Sequence, residues 1–193
     1  MASQPKHLLT AAEYLELERS AEYKSEFFHG EMFARSGGSI GHAAIGGNIY
    51  HALRNLLKGT NCKPYNSDIC IVVDPKAHYA FPDVSIVCGD PKRTEDALDG
   101  VLNPVALFEV LSPTTERHDR GARFRSYQTM VSLREYFLVS QDKALVERFE
   151  RQSDAKWILS YHEGLEATVL IASVPCELAL RDVFEDIVFE SNQ

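Results

Sequence analysis

Two acidic residues stand where a strand interior favours apolar side chains: Asp83 in FPDVSIVC, directly after Pro82, and Glu109 in VALFEVL. An unpaired buried carboxylate costs several kcal/mol, so such a group usually sits beside a cation, a hydrogen-bond network or a metal. On neighbouring strands and one shared face, the two would hold a single hard cation, with a backbone carbonyl and water completing its shell. That donor set matches magnesium or manganese. A bound divalent ion lowers the pKa of water and stabilises charge on a phosphoryl oxygen, and phosphodiester hydrolysis needs both. Arg123, in the segment that follows, would orient the attacking water or neutralise the pentavalent state. Two plainer readings stand beside this one: Asp83 as a turn or helix-start residue, and Glu109 as half of a buried ion pair with an arginine of the next helix.

Other reactive residues carry less. Ser112, Thr114 and Thr115 read as caps of the following helix, because no GxSxG elbow surrounds them. His42 and His51 lie nine apart, on opposite sides of a helix, and so cannot clamp a metal as an i, i+4 pair does. His51 reads as structural; His42, near the helix start after a Gly-rich loop, has the position to line a site, and a satisfied polar group is the plainer reading of a lone histidine. GGSIGHAAIGG lacks both a preceding strand and the Lys-Ser/Thr of a phosphate loop. Phe124 and Tyr127 in RFRSYQ have the chemistry to stack on bases but read as core.

The elements that must position these residues follow from periodicity. Thr10 and Glu13 form a capping box opening a short helix over 10–20. SEFFHGEMFARSG reads as a hairpin turning at His29 and Gly30 and ending at Gly37 and Gly38. Ile45, Ile49, Ala52, Leu53, Leu56 and Leu57 recur at helical spacing between Ile40 and Leu57, with Gly59 as the stop. Strands are expected at 62–65, 69–73, 83–88 and 105–111. A helix should then carry Phe124, Tyr127 and Met130 on one side, followed by the strand REYFLVS and a meander through LVERFER, KWILSYH, ATVLIA and CELAL. This order predicts an α/β (α+β) fold with a mixed central sheet flanked by helices. We expect one domain over 1–193, its core at about 22–140 and a C-terminal strand extension at about 144–193.

Composition narrows the function. With 45% hydrophobic and 25% charged residues the chain can bury a full core, and no apolar run approaches a membrane span, so a cytoplasmic protein is expected. Cys62, Cys70, Cys88 and Cys176 lack zinc-site spacing, and the expectation is that all are reduced. The net charge of -8 argues against a chain-wide hold on nucleic acid but leaves room for a local basic groove. Arg117, Arg120, Arg123 and Arg125 fall within nine positions and read first as a solvated helix face.

Taken together, FPDVSIVC, LFEVLSPTTERHDRGARFRSYQ and SLREYFLV resemble the Uma2 family of restriction-endonuclease-like proteins, within the PD-(D/E)XK nuclease superfamily. EFFHGEMF is similar to the family's hairpin, GHAAIGGNIYHAL to its histidine-led helix, and LRDVFEDIVFE to the tail of related members. The resemblance implies a restriction-endonuclease-like core in which Asp83 and Glu109 bind magnesium (or manganese) with the backbone carbonyl of Val110. Two positions past Glu109, where the superfamily places a lysine, stands Leu111. The family's lysine lies in the following helix, four residues after an aspartate and four before a tyrosine; counting from Asp119 to Tyr127 reaches Arg123. Glu26 and Glu31 match acidic hairpin positions, where salt-bridge or surface duties fit equally, and His42 and Tyr127 complete the accessory set. The implied activity is magnesium-dependent endonucleolytic cleavage of DNA by a homodimer. Because a guanidinium does not exchange a proton as a lysine can, the alternative is a catalytically weakened module that binds nucleic acid or a protein partner. A metal hydrolase for a small phosphorylated substrate is a third reading.

Overall fold

The computed structural model describes residues 8–34, 38–96, 98–153 and 156–189. Helix α1 (Ala11–Ser20) opens on the expected capping box, the Thr10 side chain accepting from the Glu13 amide and Glu13 from the Thr10 amide. Strands β1 (Ser25–Phe28) and β2 (Glu31–Ala34) form the expected hairpin. His29 and Gly30 have φ of 49° and 90°, which a tight turn between twisted strands requires. Gly37 and its neighbours lie outside the described residues. Helix α2 (Ile40–Leu56) is capped by Ser39, which accepts from the His42 amide, and buries Ile45, Ile49, Ala52 and Leu53.

Then come β3 (Cys62–Asn66), β4 (Ile71–Asp74), β5 (His78–Ala80), β6 (Val84–Cys88) and β7 (Pro104–Val110). After β7 the chain forms a composite helix, α3: an α turn Glu116–His118, a π-helical stretch Asp119–Arg123 and an α turn Phe124–Tyr127. Strands β8 (Glu135–Val139), β9 (Leu145–Arg151), β10 (Trp157–Glu163), β11 (Thr168–Ile171) and β12 (Cys176–Ala179) follow, and the helical turn Leu180–Val183 closes the fold. The central sheet has the order β10-β9-β8-β7-β6-β3 and is antiparallel except where β8 joins β7 in parallel across the α3 crossover. A second sheet, β2-β1-β5-β4, buries Phe27, Val72 and Tyr79 with Tyr14 of α1. This is the mixed α+β architecture expected.

The uninterrupted apolar run at β7 has a plain cause: both faces of the strand are covered. Ala106, Phe108 and Val110 pack with Ile45, Ile49 and Leu53 of α2, while Leu107 and Leu111 pack with Phe124 and Tyr127 of α3. Glu109 shares the α3 parity and so takes a core position.

Several expectations need correction. Strand β5, three residues long, carries too little periodicity to be anticipated. The helix after β7 ends at Tyr127, and Met130 lies beyond it, though still buried beside Phe124 and Tyr127. Cys62 and Cys88 are not free thiols: they stand at paired positions of β3 and β6 and are joined by a disulfide, whereas Cys70 and Cys176 are free. A separation of 26 positions hides that pairing from the sequence. The arginine run is also not one solvated face. Arg120 pairs with Glu116 and Glu147, and Arg123 is almost fully enclosed by carboxylates.

Candidate active site

A cleft of about 980 Å³ lies between the first half of α2, the adjoining ends of β6 and β7, and α3. Asp83, Glu109, Glu26, Asp119, Arg123 and His42 all line it. Sheet register explains why the first two meet. Val84 of β6 is paired with Phe108 of β7, and one further step sets Asp83 across from Glu109. Their carboxylates reach the cleft from different sides, Asp83 beside His42 and Gly46 of α2 and Glu109 beside Tyr127 and Arg123 of α3.

The two carboxylates are held differently. Asp83 Oδ1 lies 2.9 Å from His42 Nε2, and Oδ2 accepts from the Val110 amide at 2.8 Å. His42 owes its place to the Ser39 cap, which starts α2 at the cleft rim. For Val110, whose carbonyl was the expected ligand, the contact seen is thus from its N–H to Asp83. Glu109 is buried; its Oε1 accepts from the Tyr127 hydroxyl at 2.9 Å and lies 3.4 Å from Arg123 Nη1. Burial pushes its carboxyl well above the usual range, against the pull of the Arg123 guanidinium. Tyr127 itself is buried beneath the cleft and is raised by that burial, then by Glu109.

Arg123 is the hub. Its Nη1 donates to Asp119 at 2.6 Å, Nε to Glu26 at 3.3 Å, and Nη2 also to Glu26. Burial acts against its charge, but Glu109, Tyr127, Glu26 and Asp119 outweigh it, so the guanidinium is held more firmly protonated than a free one. Burial also opposes ionisation of Glu26, yet the hydrogen bond from His78 and the charge of Arg123 hold its carboxyl low. Asp119 is pushed up by burial despite Arg123. His78, fully buried, bridges Glu26 at 3.3 Å and Ser126 Oγ at 2.6 Å. Glu31, at the start of β2, does not line the cleft.

Asp119, His78 and Ser126 were not singled out as site residues. The i, i+4 spacing of Asp119 and Arg123 carried a signal for the first. His78, alone in AHYAFPD, carried none.

Two carboxylates lining one cleft suit a magnesium-type ion, which takes one or two protein carboxylates and fills its remaining positions with water and substrate oxygens. Asp83 and Glu109 would hold it. Among the described residues no three His, Cys, Asp or Glu side chains are grouped as a ready-made metal cage.

A mixed sheet with an acidic residue at the adjoining ends of two neighbouring strands, and helices on both faces, defines a restriction-endonuclease-like fold. The chain superposes with a TM-score of 0.76 on the crystal structure of a "putative nuclease belonging to DUF820" from Anabaena variabilis, over 93% of this chain and 99% of that one, at 18% identity. It belongs to the Uma2 family, described as "Putative restriction endonuclease", whose model matches residues 11–182. Two Synechocystis proteins are each 32% identical to it: slr1290 over 187 residues (97% of both chains) and sll1609 over 162 residues (84% of this chain, 92% of that one). Both carry the description "uncharacterized protein". The family description supports a nuclease-like function. Among the described residues no helix is long and apolar enough to cross a membrane.

Proposed function

We propose that the protein is a magnesium-dependent endonuclease that hydrolyses phosphodiester bonds in DNA. The observation that carries this reading is the placement of Asp83 and Glu109 across adjacent strands on the wall of one cleft. When bound there, the ion supplies an acidified water and offsets charge on the phosphoryl group. The chain's own residues supply the rest. His42 and the Val110 amide fix the Asp83 carboxylate from two sides, so little side-chain freedom remains to be lost when it binds a ligand. Arg123 keeps a permanent positive charge at the cleft and favours the ionised form of Glu109, the form a metal needs.

The same hub favours a second reading. Glu26, Asp119 and Glu109 engage all three guanidinium nitrogens, which leaves Arg123 chiefly a buried counter-ion rather than a free group for water or phosphate. Such a protein binds nucleic acid and cuts it weakly. Plasmid cleavage in magnesium, comparing wild type with Asp83→Ala and Arg123→Lys, separates the two. We expect Asp83→Ala to lose at least about a hundredfold, because a metal ligand is removed while the fold is kept. Equal cleavage by wild type and Asp83→Ala would overturn the assignment. A large gain in Arg123→Lys would place the chain in the weakened class.

A further inference from the structure

We infer that the outward face of α2 and the start of β3 form a track for the sugar-phosphate backbone of DNA leading away from the cleft, closed at its far end by Arg54, Lys58 and Lys63. This rests on the nuclease reading above and extends it to how a long substrate is held. The first observation is one of charge. From Met32 to Ser67 the sequence holds four Lys or Arg and no Asp or Glu, in a chain with 28 acidic residues over 193 positions. That segment builds β2 after its first residue, Glu31, together with α2 and β3, and with them one wall of the cleft.

The second observation is a separate pocket of about 380 Å³ where the end of α2 meets β3. Arg54, Lys58 and Lys63 line it and no carboxylate does. All three are exposed, and among the described residues none forms an ion pair. This contrasts with Arg120 and Arg123 of α3, whose charge is taken up by glutamates and an aspartate. Exposed cations gathered round a concavity and free of internal counter-ions are matched to an anion from outside the protein.

The third observation joins the pocket to the cleft. Ala43, Gly47, His51, Arg54 and Lys58 are exposed at spacings of three and four, which is one helix face continued past the end of α2. Ala43 and Gly47 belong to the cleft lining, and a Cβ added at Gly47 would meet nothing within 4 Å. The track therefore begins with small residues that let a backbone approach closely and ends in charge. At about 1.5 Å of rise per residue, Ala43 to Arg54 spans about 16 Å, or about five phosphate steps of 3.4 Å along one strand. The partner is a polyanion of regular spacing long enough to reach from the scissile bond to the basic pocket.

The test is binding of a fluorescent 18-base-pair DNA and a 4-base-pair hairpin, followed by anisotropy against salt in EDTA. Cleavage plays no part in that buffer, so failure here is distinct from failure of the metal-dependent chemistry. For the triple variant Arg54→Gln, Lys58→Gln, Lys63→Gln we expect the slope of log affinity against log salt on the long duplex to shrink by about two to three, at about 0.9 per lost phosphate contact. Affinity for the long duplex should fall at least about tenfold near 100 mM salt, with the hairpin little affected. The charge-keeping variant Arg54→Lys, Lys58→Arg, Lys63→Arg should retain the wild-type slope, and Lys63→Gln alone should lose about one unit of it. Wild-type slope and affinity in the triple glutamine variant would overturn the track. So would failure of the wild type to bind, or competition by poly-glutamate as effective as by DNA, which would assign the basic pocket to an acidic protein segment.

Discussion

The two faces of the central sheet are built on opposite principles. Toward α2 the sheet buries an apolar layer, in which Phe108 and Phe137 stack at 4.3 Å between ring centres and Ile45, Ile49 and Leu53 complete the packing. Toward α3 a similar apolar layer is interrupted by a polar cluster of Glu109, Tyr127, Arg123, Asp119, Glu26 and His78. The α2 face gains from every side chain it buries. The α3 face loses solvation of several charges and recovers it only through mutual pairing. The contrast teaches how the two jobs are divided: the α3 face gathers its carboxylates round one guanidinium at the cleft, while the α2 face carries the fold by apolar burial.

The largest expected effect comes from removing the hub. Arg123→Met leaves Glu26, Asp119 and Glu109 facing one another without their cation, and loss of one partner from a buried ion pair costs about 3–5 kcal/mol. Urea unfolding at neutral pH measures it. Combining Arg123→Met with Glu26→Gln and Asp119→Asn should recover most of the loss, because the uncompensated charge is then gone. A triple variant as unstable as the single one would show that the cluster acts through packing, and the proposed contrast between the faces would fail.

Next is Leu53→Ala on the other face. Leu53 is fully buried in the layer under α2, and truncating such a leucine costs about 3 kcal/mol through lost transfer energy and the cavity left behind. The cluster's side chains are held on the α3 side of the sheet, so the loss should be the same at about pH 5 and about pH 7. A loss that changes with pH would mean the faces are coupled.

Much of this division was legible in the sequence, and the limits have a physical cause. Glu109 declared itself because a single charge in an apolar strand needs a partner, and helix periodicity with a glycine stop marked α2. The hairpin was visible in His29 and Gly30. What sequence could not show were pairings made by distant elements. Glu26 and Arg123 are 97 positions apart, and nothing local in either segment anticipates the other. Strand β5 is too short to express a period. Four arginines in a row of nine positions look solvated until β1 and β9 arrive with the glutamates that take up two of them. The acid-free stretch through α2 lay open in the sequence, but its meaning depends on those glutamates, because only the fold separates cations with internal partners from cations without.

The smallest effect gives the finest discrimination between the faces. His78 sits between Glu26 and Ser126, stacked on Tyr127, with Arg123 and His118 also nearby. Burial lowers its pKa below the usual 6.5, although the hydrogen bond to Glu26 pulls the other way. Between its lowered native value and 6.5 the unfolded chain binds a proton that the native protein does not, so unfolding free energy rises with pH across that interval. The stability owed to neutral His78 is present above about pH 6.5 and is lost as pH falls toward the native value. Glu26, also held low, acts in the same direction below its ordinary 4.5, whereas Glu109, held high, acts in the opposite direction. Comparing wild type with His78→Gln removes the histidine contribution and leaves the carboxylate contributions in both proteins. We expect the variant to lie within about 2 kcal/mol of wild type at pH 7, the scale of a hydrogen bond to a charged group, and to lose less on moving to pH 5. Urea midpoints at the two pH values give the difference of slopes. Parallel slopes would mean that His78 binds its proton equally in the native and unfolded protein, and a smaller loss in wild type than in the variant would mean that it is held protonated in the native cluster; either result overturns a buried neutral His78.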